Sequence, residues 1–215
     1  MSAVLANLEI FWEGFEATLA LTLLSTIAAL VLGILLAAFR VSPVPVLSGA
    51  AATYVEVVRN TPLTIVFFFA AFVLPQVGVK FSYFAFAVLA MSVYYASFFC
   101  EVIRSGINTM PIGQLEAARS IGLTFTKSMR LIVMPQALRT VVPPLINVFI
   151  QLTKSTSIAS AFGVVELLSV MARLANQESQ AVIAILIATA VFYLVITIPS
   201  GIIAGHIERR VAIAR

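Results

Sequence analysis

Two runs of the sequence, residues 15–39 and 181–204, are apolar almost without interruption. Each is long enough to cross a lipid bilayer, which takes about 20 residues of helix. No motif elsewhere constrains the fold as strongly. Composition closes the soluble alternatives, because 61% of the 215 residues are hydrophobic and only 10% charged, against about 25% charged in ordinary soluble domains. Alternating strand patterns are absent, which argues against a membrane barrel. The expected fold is an all-α integral membrane protein.

Read in order, the chain divides into five spans, at about residues 15–39, 49–75, 81–103, 137–155 and 181–204. Glu9, Glu13 and Glu16 precede or open the first span and Arg40 closes it. Arg104, Arg119, Lys127, Arg130 and Arg139 gather between the third and fourth, and His206, Arg209, Arg210 and Arg215 follow the fifth. The positive-inside rule then places the N-terminus outside and the C-terminus in the cytoplasm, with residues 105–135 as a cytoplasmic loop. The same rule accounts for the net charge of +4 without nucleic acid. Residues 1–14 are expected to form a short amphipathic helix with Ile10, Phe11 and Trp12 at the interface. With no basic n-region, they do not read as a cleavable signal peptide.

Catalytic chemistry finds no foothold. There is no GxxxxGK[ST] motif, so the chain has no P-loop with which to bind ATP. The lone Cys100 excludes an internal disulfide and a cysteine metal site, and its apolar surroundings suit buried packing. His206, the single histidine, reads as a marker of the membrane boundary, and no metal or other cofactor is expected in this chain.

Two places break the apolar pattern. The second span contains Glu56, Arg59, Asn60, Thr61 and Pro62, and the proline should kink or break the helix. Glu56 and Arg59 can form an ion pair within one helix face. Alternatively, Arg59, Asn60 and Thr61 present a cation and freed backbone groups to a cavity, as broken helices in transporters do. A start near Gly49 sets Arg59 about 15 Å deep. At 151–160 the chain turns polar and rich in hydroxyls, and Lys154, Ser155, Thr156 and Ser157 can be a plain outer-leaflet helix end where lysine snorkels and Ser155 or Ser157 caps the next helix. Residues 161–178 read as a short amphipathic helix. Glu101 and Arg104 read as an exposed pair worth a few tenths of a kcal/mol. Phe67, Phe68 and Phe69 lie on consecutive helix faces, so packing and lipid contact is their default.

The stretch EAARSIGLTFTKSMRLIVMP, Glu116 to Pro135, holds no span-length apolar run. It reads as two short helices joined at Gly122, the second carrying Lys127 and Arg130 and stopping near Pro135. Its residues Glu116, Ala117, Ala118, Gly122, Ile132 and Pro135 resemble the EAA loop of ABC-importer permeases, with Met134-Pro135 where that family usually has Leu-Pro. RNTPL at 59–63 and QLTKSTSIASAFGVVEL at 151–167 resemble the branch that carries polar amino acids. Basic-amino-acid members often have an aspartate where this chain has Ser155.

That resemblance implies a type I importer permease fold of five transmembrane helices in a bacterial inner membrane. It implies two ATP-binding subunits that hold ATP and Mg, a second permease (a sister subunit or a copy of this chain) and an extracytoplasmic amino-acid-binding protein. Coupling helices in 105–135 would meet the ATPase. Substrate contacts would come from Glu56, Arg59, Asn60, Thr61, Lys154, Ser155, Thr156 and Ser157. Losing an anion beside Lys154 favours glutamate or aspartate, with glutamine next and basic amino acids after it. Rival readings are an ion-coupled secondary transporter using Glu56 and a non-transporting assembly subunit.

Overall fold

Hydrocarbon offers no partner to a free amide, so each segment that enters it must close its own hydrogen bonds. The computed structural model describes residues 2–108 and 112–212, and among them no strand occurs. Residues 109–111 of the predicted loop, and Arg215 among the C-terminal cations, lie outside the described residues.

Helix α1 (Ser2–Ala6) is followed at once by α2 (Leu8–Arg40), 33 residues long. At 1.5 Å per residue α2 measures about 50 Å, more than a hydrocarbon core of about 30 Å. The second half of the expected interfacial helix, residues 8–14, is therefore the first two turns of the span itself. Phe11 is not at an interface: it is fully buried, stacked on Phe192 at 5.7 Å between ring centroids. Trp12 is exposed, and its Nε1 donates to Glu16 Oε1 at 2.7 Å.

Helix α3 (Pro45–Asn60) opens on a proline, where the missing N–H costs nothing. After Thr61 and Pro62 the chain resumes as α4 (Leu63–Phe68), a π-turn (Phe69–Val73) and α5 (Leu74–Gln76). The two halves meet at 103°, so the expected kink is a full break. Helix α6 (Tyr83–Asn108) packs along α2 at the centre of the bundle. Small residues of α2 make this possible: Thr18, Thr22, Ser25, Ala29, Gly33 and Ala37 form a buried stripe at helical spacing. A Cβ on Gly33 would come within 2.6 Å of the Phe99 Cβ, so only glycine lets these backbones approach.

Two short helices follow, α7 (Ile112–Ser120) and α8 (Phe125–Ser128), then a π-turn (Met129–Val133) that feeds directly into α9 (Met134–Ser155). Pro135 was expected to end a helix. It stands instead in the first turn of one, where no amide hydrogen is needed. Pro143 and Pro144 lie inside α9. A 3-10 turn (Thr156–Phe162) ends at Gly163, whose φ of +81° requires glycine's freedom. Helix α10 (Leu167–Gln177) then departs at 55°, and a short 3-10 turn (Ser179–Ala181) leads to α11 (Val182–Ala212).

Among the described residues three helices are unbroken and apolar enough to cross a membrane, and the spans number up to five if each bent pair is one. The main core joins Leu21 of α2, Phe67 of α4, Met91 and Phe99 of α6, Leu152 of α9 and Phe162 of the 3-10 turn. Phe67 is thus packing, while Phe68 and Phe69 are more than half exposed on the outer surface.

Candidate functional site

At the break after α3, the polar side chains first close their own helix. Asn60 Nδ2 donates to the Glu56 carbonyl at 2.7 Å, and Thr61 Oγ1 donates to the Val57 carbonyl at 2.8 Å. These bonds satisfy carbonyls that a helix end otherwise leaves without partners. Thr61 itself is extended, with φ −91° and ψ 134°, as the residue before proline must be.

Arg59 is placed differently. Among the described residues no ion pair joins it to Glu56, which is exposed. Its Nη1 lies 3.9 Å from Glu101 Oε2, and its Cζ stands 5.3 Å from the centre of the Phe98 ring. The intrahelical pair is replaced by one across 42 residues of sequence, because the break lays the end of α3 against α6. Arg59 sits level with Phe98 and Glu101, about 10–15 Å along α6 from its last residue.

Glu101 is the centre of this arrangement. Arg104 donates to it twice, from Nε at 3.2 Å and from Nη2. Arg40, at the end of α2, approaches with Nη2 at 3.9 Å. The expected exposed pair is therefore part of a four-residue cluster, partly shielded, with the Glu101 side chain 23% exposed. Three guanidiniums around one carboxylate leave two positive charges in excess.

The second polar segment meets the same helix. Ser155 Oγ and Tyr95 Oη share a hydrogen bond of 2.7 Å. Tyr95 and Phe98 are ring neighbours at 5.6 Å, and Phe98 lies beneath Arg59. Tyr95, Phe98 and Glu101 stand at three-residue steps on one face of α6, so that face links the broken end of α3 to the end of α9. Neither Tyr95 nor Phe98 was picked out by sequence reasoning. Their signal was the YYASFF run at 94–99, which reads as ordinary span.

Lys154 is exposed in the last turn of α9. Thr156 is fully buried, its hydroxyl bonded to the Thr153 carbonyl at 2.8 Å, and Ser157 Oγ donates to the Lys154 carbonyl at 2.8 Å. Lys154 and Ser157 border a groove of about 330 Å³ shared with Met171, Thr189 and Tyr193. No serine of this run caps α10. Glu166 does, accepting from the backbone N–H of Leu168 at 3.0 Å and Ser169 at 2.9 Å. Tyr193 Oη donates to the same carboxylate at 2.9 Å, and Thr18 Oγ1 accepts from Leu167 N at 3.2 Å. This carboxylate is completely buried and ties α10 to α11, while Thr18 of α2 reaches the same corner through Leu167 N. Sequence reasoning missed it; an acid immediately before a helical run was the available sign.

The α7–α8 connection is closed at both ends by hydrogen bonds of its own. Leu123 N reaches back to the Ala118 carbonyl at 3.1 Å and Gly122 N to that of Arg119 at 3.0 Å, the Schellman pattern. Gly122 takes φ +87° with open space around a Cβ, so conformation alone demands glycine there. Thr124 then caps α8 through Lys127 N at 3.4 Å. Glu116 and Ala117 face solvent, Ala118 is buried, Ile132 is half-buried and Pro135 is exposed. Among the described residues no three His, Cys, Asp or Glu side chains gather as metal ligands.

Comparison with known proteins bears on the fold and the family. Residues 29–213 match the family described as the binding-protein-dependent transport system inner membrane component. The probable glutamine ABC transporter permease protein GlnP of Bacillus subtilis is 41% identical over 162 residues, covering 75% of this chain and 74% of that one. The glutamate transport system permease protein GluC of Corynebacterium efficiens is 38% identical over 213 residues, covering 94% and 93%. A crystal structure of an amino acid ABC transporter with histidines superposes with a TM-score of 0.88 at 29% identity, over 96% of each chain.

Proposed function

The chain belongs to the family of binding-protein-dependent transport system inner membrane components and is an amino-acid ABC importer permease; from that premise we propose that it carries glutamate or aspartate. The observation that carries this reading is the cationic excess at the break: Arg40, Arg59 and Arg104 face one carboxylate. A dicarboxylic amino acid is attracted to such a site, whereas a cationic one is repelled. Ser155 in place of an acid beside Lys154 points the same way. Glutamine is the second reading, favoured by the 41% identity to a permease named for it.

Alternating access is the mechanism. Two partner subunits bind ATP and Mg and close on each other. They pull α7 and α8 through Glu116, Ala117, Ala118, Gly122, Ile132 and Pro135, the EAA-like loop. The membrane helices then open outward, and an extracytoplasmic binding protein delivers the amino acid between this chain and a second permease. The N-terminus lies outside and the C-terminus in the cytoplasm. Arg59 and Lys154 draw the carboxylates, with Ser155 supplying a hydroxyl. Glu56, Asn60, Thr61, Thr156 and Ser157 shape the wall around them, since the donors of the last four are already bonded to their own helix or turn. Lipid covers the exposed apolar surface.

The test is uptake of labelled L-glutamate by cells carrying the complete transporter. Excess aspartate should abolish it, glutamine should compete less, and arginine should not compete. Competition by glutamine alone would move the assignment to the second reading.

A further inference from the structure

Glu101 is held unequally by its three arginines. Arg104 grips it through two hydrogen bonds, whereas Arg59 reaches it by a single approach of 3.9 Å with its side chain 41% exposed. Arg59 is also held from another side, against the Phe98 ring, so that it keeps its position when the carboxylate is exchanged. Leaving Arg59 does not strand Glu101, because Arg104 and Arg40 still neutralise it.

We propose that the Glu101 carboxylate is a built-in stand-in for the substrate's carboxylate on Arg59. An arriving amino acid displaces it, and its return to Arg59 expels the amino acid. This rests on the reading that Arg59 binds substrate. Glu101 thus acts through Arg59 and is a positioning residue: it weakens resting affinity and speeds release. The exchange is between two carboxylates on one guanidinium, so Arg59 is not left without an anionic partner in the swap. Its place on α6, between the broken end of α3 and the connection to α7, sets the release device beside the segment that the ATPase moves.

The experiment uses the assembled permease–ATPase complex in detergent, without binding protein, and the variant Glu101→Gln. Labelled L-glutamate should bind about two- to fivefold more tightly, the range an exposed ion pair commands, and maximal uptake in vesicles should fall. Unchanged or weaker binding would overturn the proposal. Arg59→Ala separates the two ideas. If Arg59→Ala binds glutamate normally, the reading of Arg59 itself fails. If Arg59→Ala loses binding while Glu101→Gln leaves it unchanged, only the stand-in fails. In the double variant, binding no tighter than in Arg59→Ala supports action through Arg59, and any tightening contradicts it. Should Glu101→Gln not assemble, Glu101→Asp keeps the charge for Arg104 but draws it back from Arg59. A smaller gain in affinity is then expected, and none would sink the proposal.

Discussion

The two bent spans are broken by opposite means. Between α3 and α4 the chain turns 103° at a proline, where Asn60 and Thr61 bond to their own helix and Arg59 reaches across to α6. Between the 3-10 turn and α10 it turns 55° at Gly163, where a fully buried carboxylate fastens the corner to α11 and Thr18 fastens it to α2. The first corner is held loosely, by a shielded but wet charge cluster. The second is locked by satisfied buried hydrogen bonds, which are costly to break. The contrast separates a place suited to ligand exchange from a place suited to fixed geometry.

Three substitutions test that contrast, and a fourth sets it against the α7–α8 joint. The largest effect on stability is expected for Glu166→Ala, which leaves two backbone amides and the Tyr193 hydroxyl without their acceptor. A loss of about 2–4 kcal/mol should appear as a clear drop in thermal midpoint of the solubilised protein. A change below about 1 kcal/mol would erase the distinction between the corners. Gly163→Ala comes next, at about 1–2 kcal/mol, since φ +81° disfavours any side chain and its Cβ would meet Tyr83 at 3.4 Å.

Gly122→Val should cost a similar amount, roughly 1–2 kcal/mol, since φ +87° strains a β-branched residue although open space surrounds it. Its signature is functional: ATP hydrolysis continues while uptake falls, and coupled transport at the normal rate would count against the α7–α8 joint as coupling element. Arg59→Ala has the smallest expected effect on folding, within about 1 kcal/mol for an exposed pair, yet uptake should be lost. Thermal melting and glutamate uptake measured on one preparation decide it; a large stability loss would make the α3 corner structural after all.

Local signals made much of this fold legible. Long apolar runs announced the spans, Pro62 announced a break, and Gly122 announced a turn that needs positive φ. What escaped was set by pairing across the chain. Arg59 was weighed against Glu56, three residues away, and its partner is Glu101, because a 103° turn swings the end of α3 onto α6. Phe11 was assigned to an interface, yet α10 and α11 cover it. Pro135 begins a helix rather than ending one, since a π-turn joins the preceding turn to α9 without a gap. Glu166 carried no periodic signal; its meaning comes from Tyr193, distant in sequence. Spacing reveals which residues share a helix face, and it is silent about which faces meet.

Gly33 has a mechanical consequence. With the α2 backbone against Phe99 and the Ala96 carbonyl, the two longest-packed helices are meshed tooth into gap. Sliding one along the other would drive Phe99 over Ala29 or Ala37, so shear between them is blocked short of a full helical turn of about 5.4 Å. The pair must tilt as a single lever, and the shorter pieces around it have to supply the give.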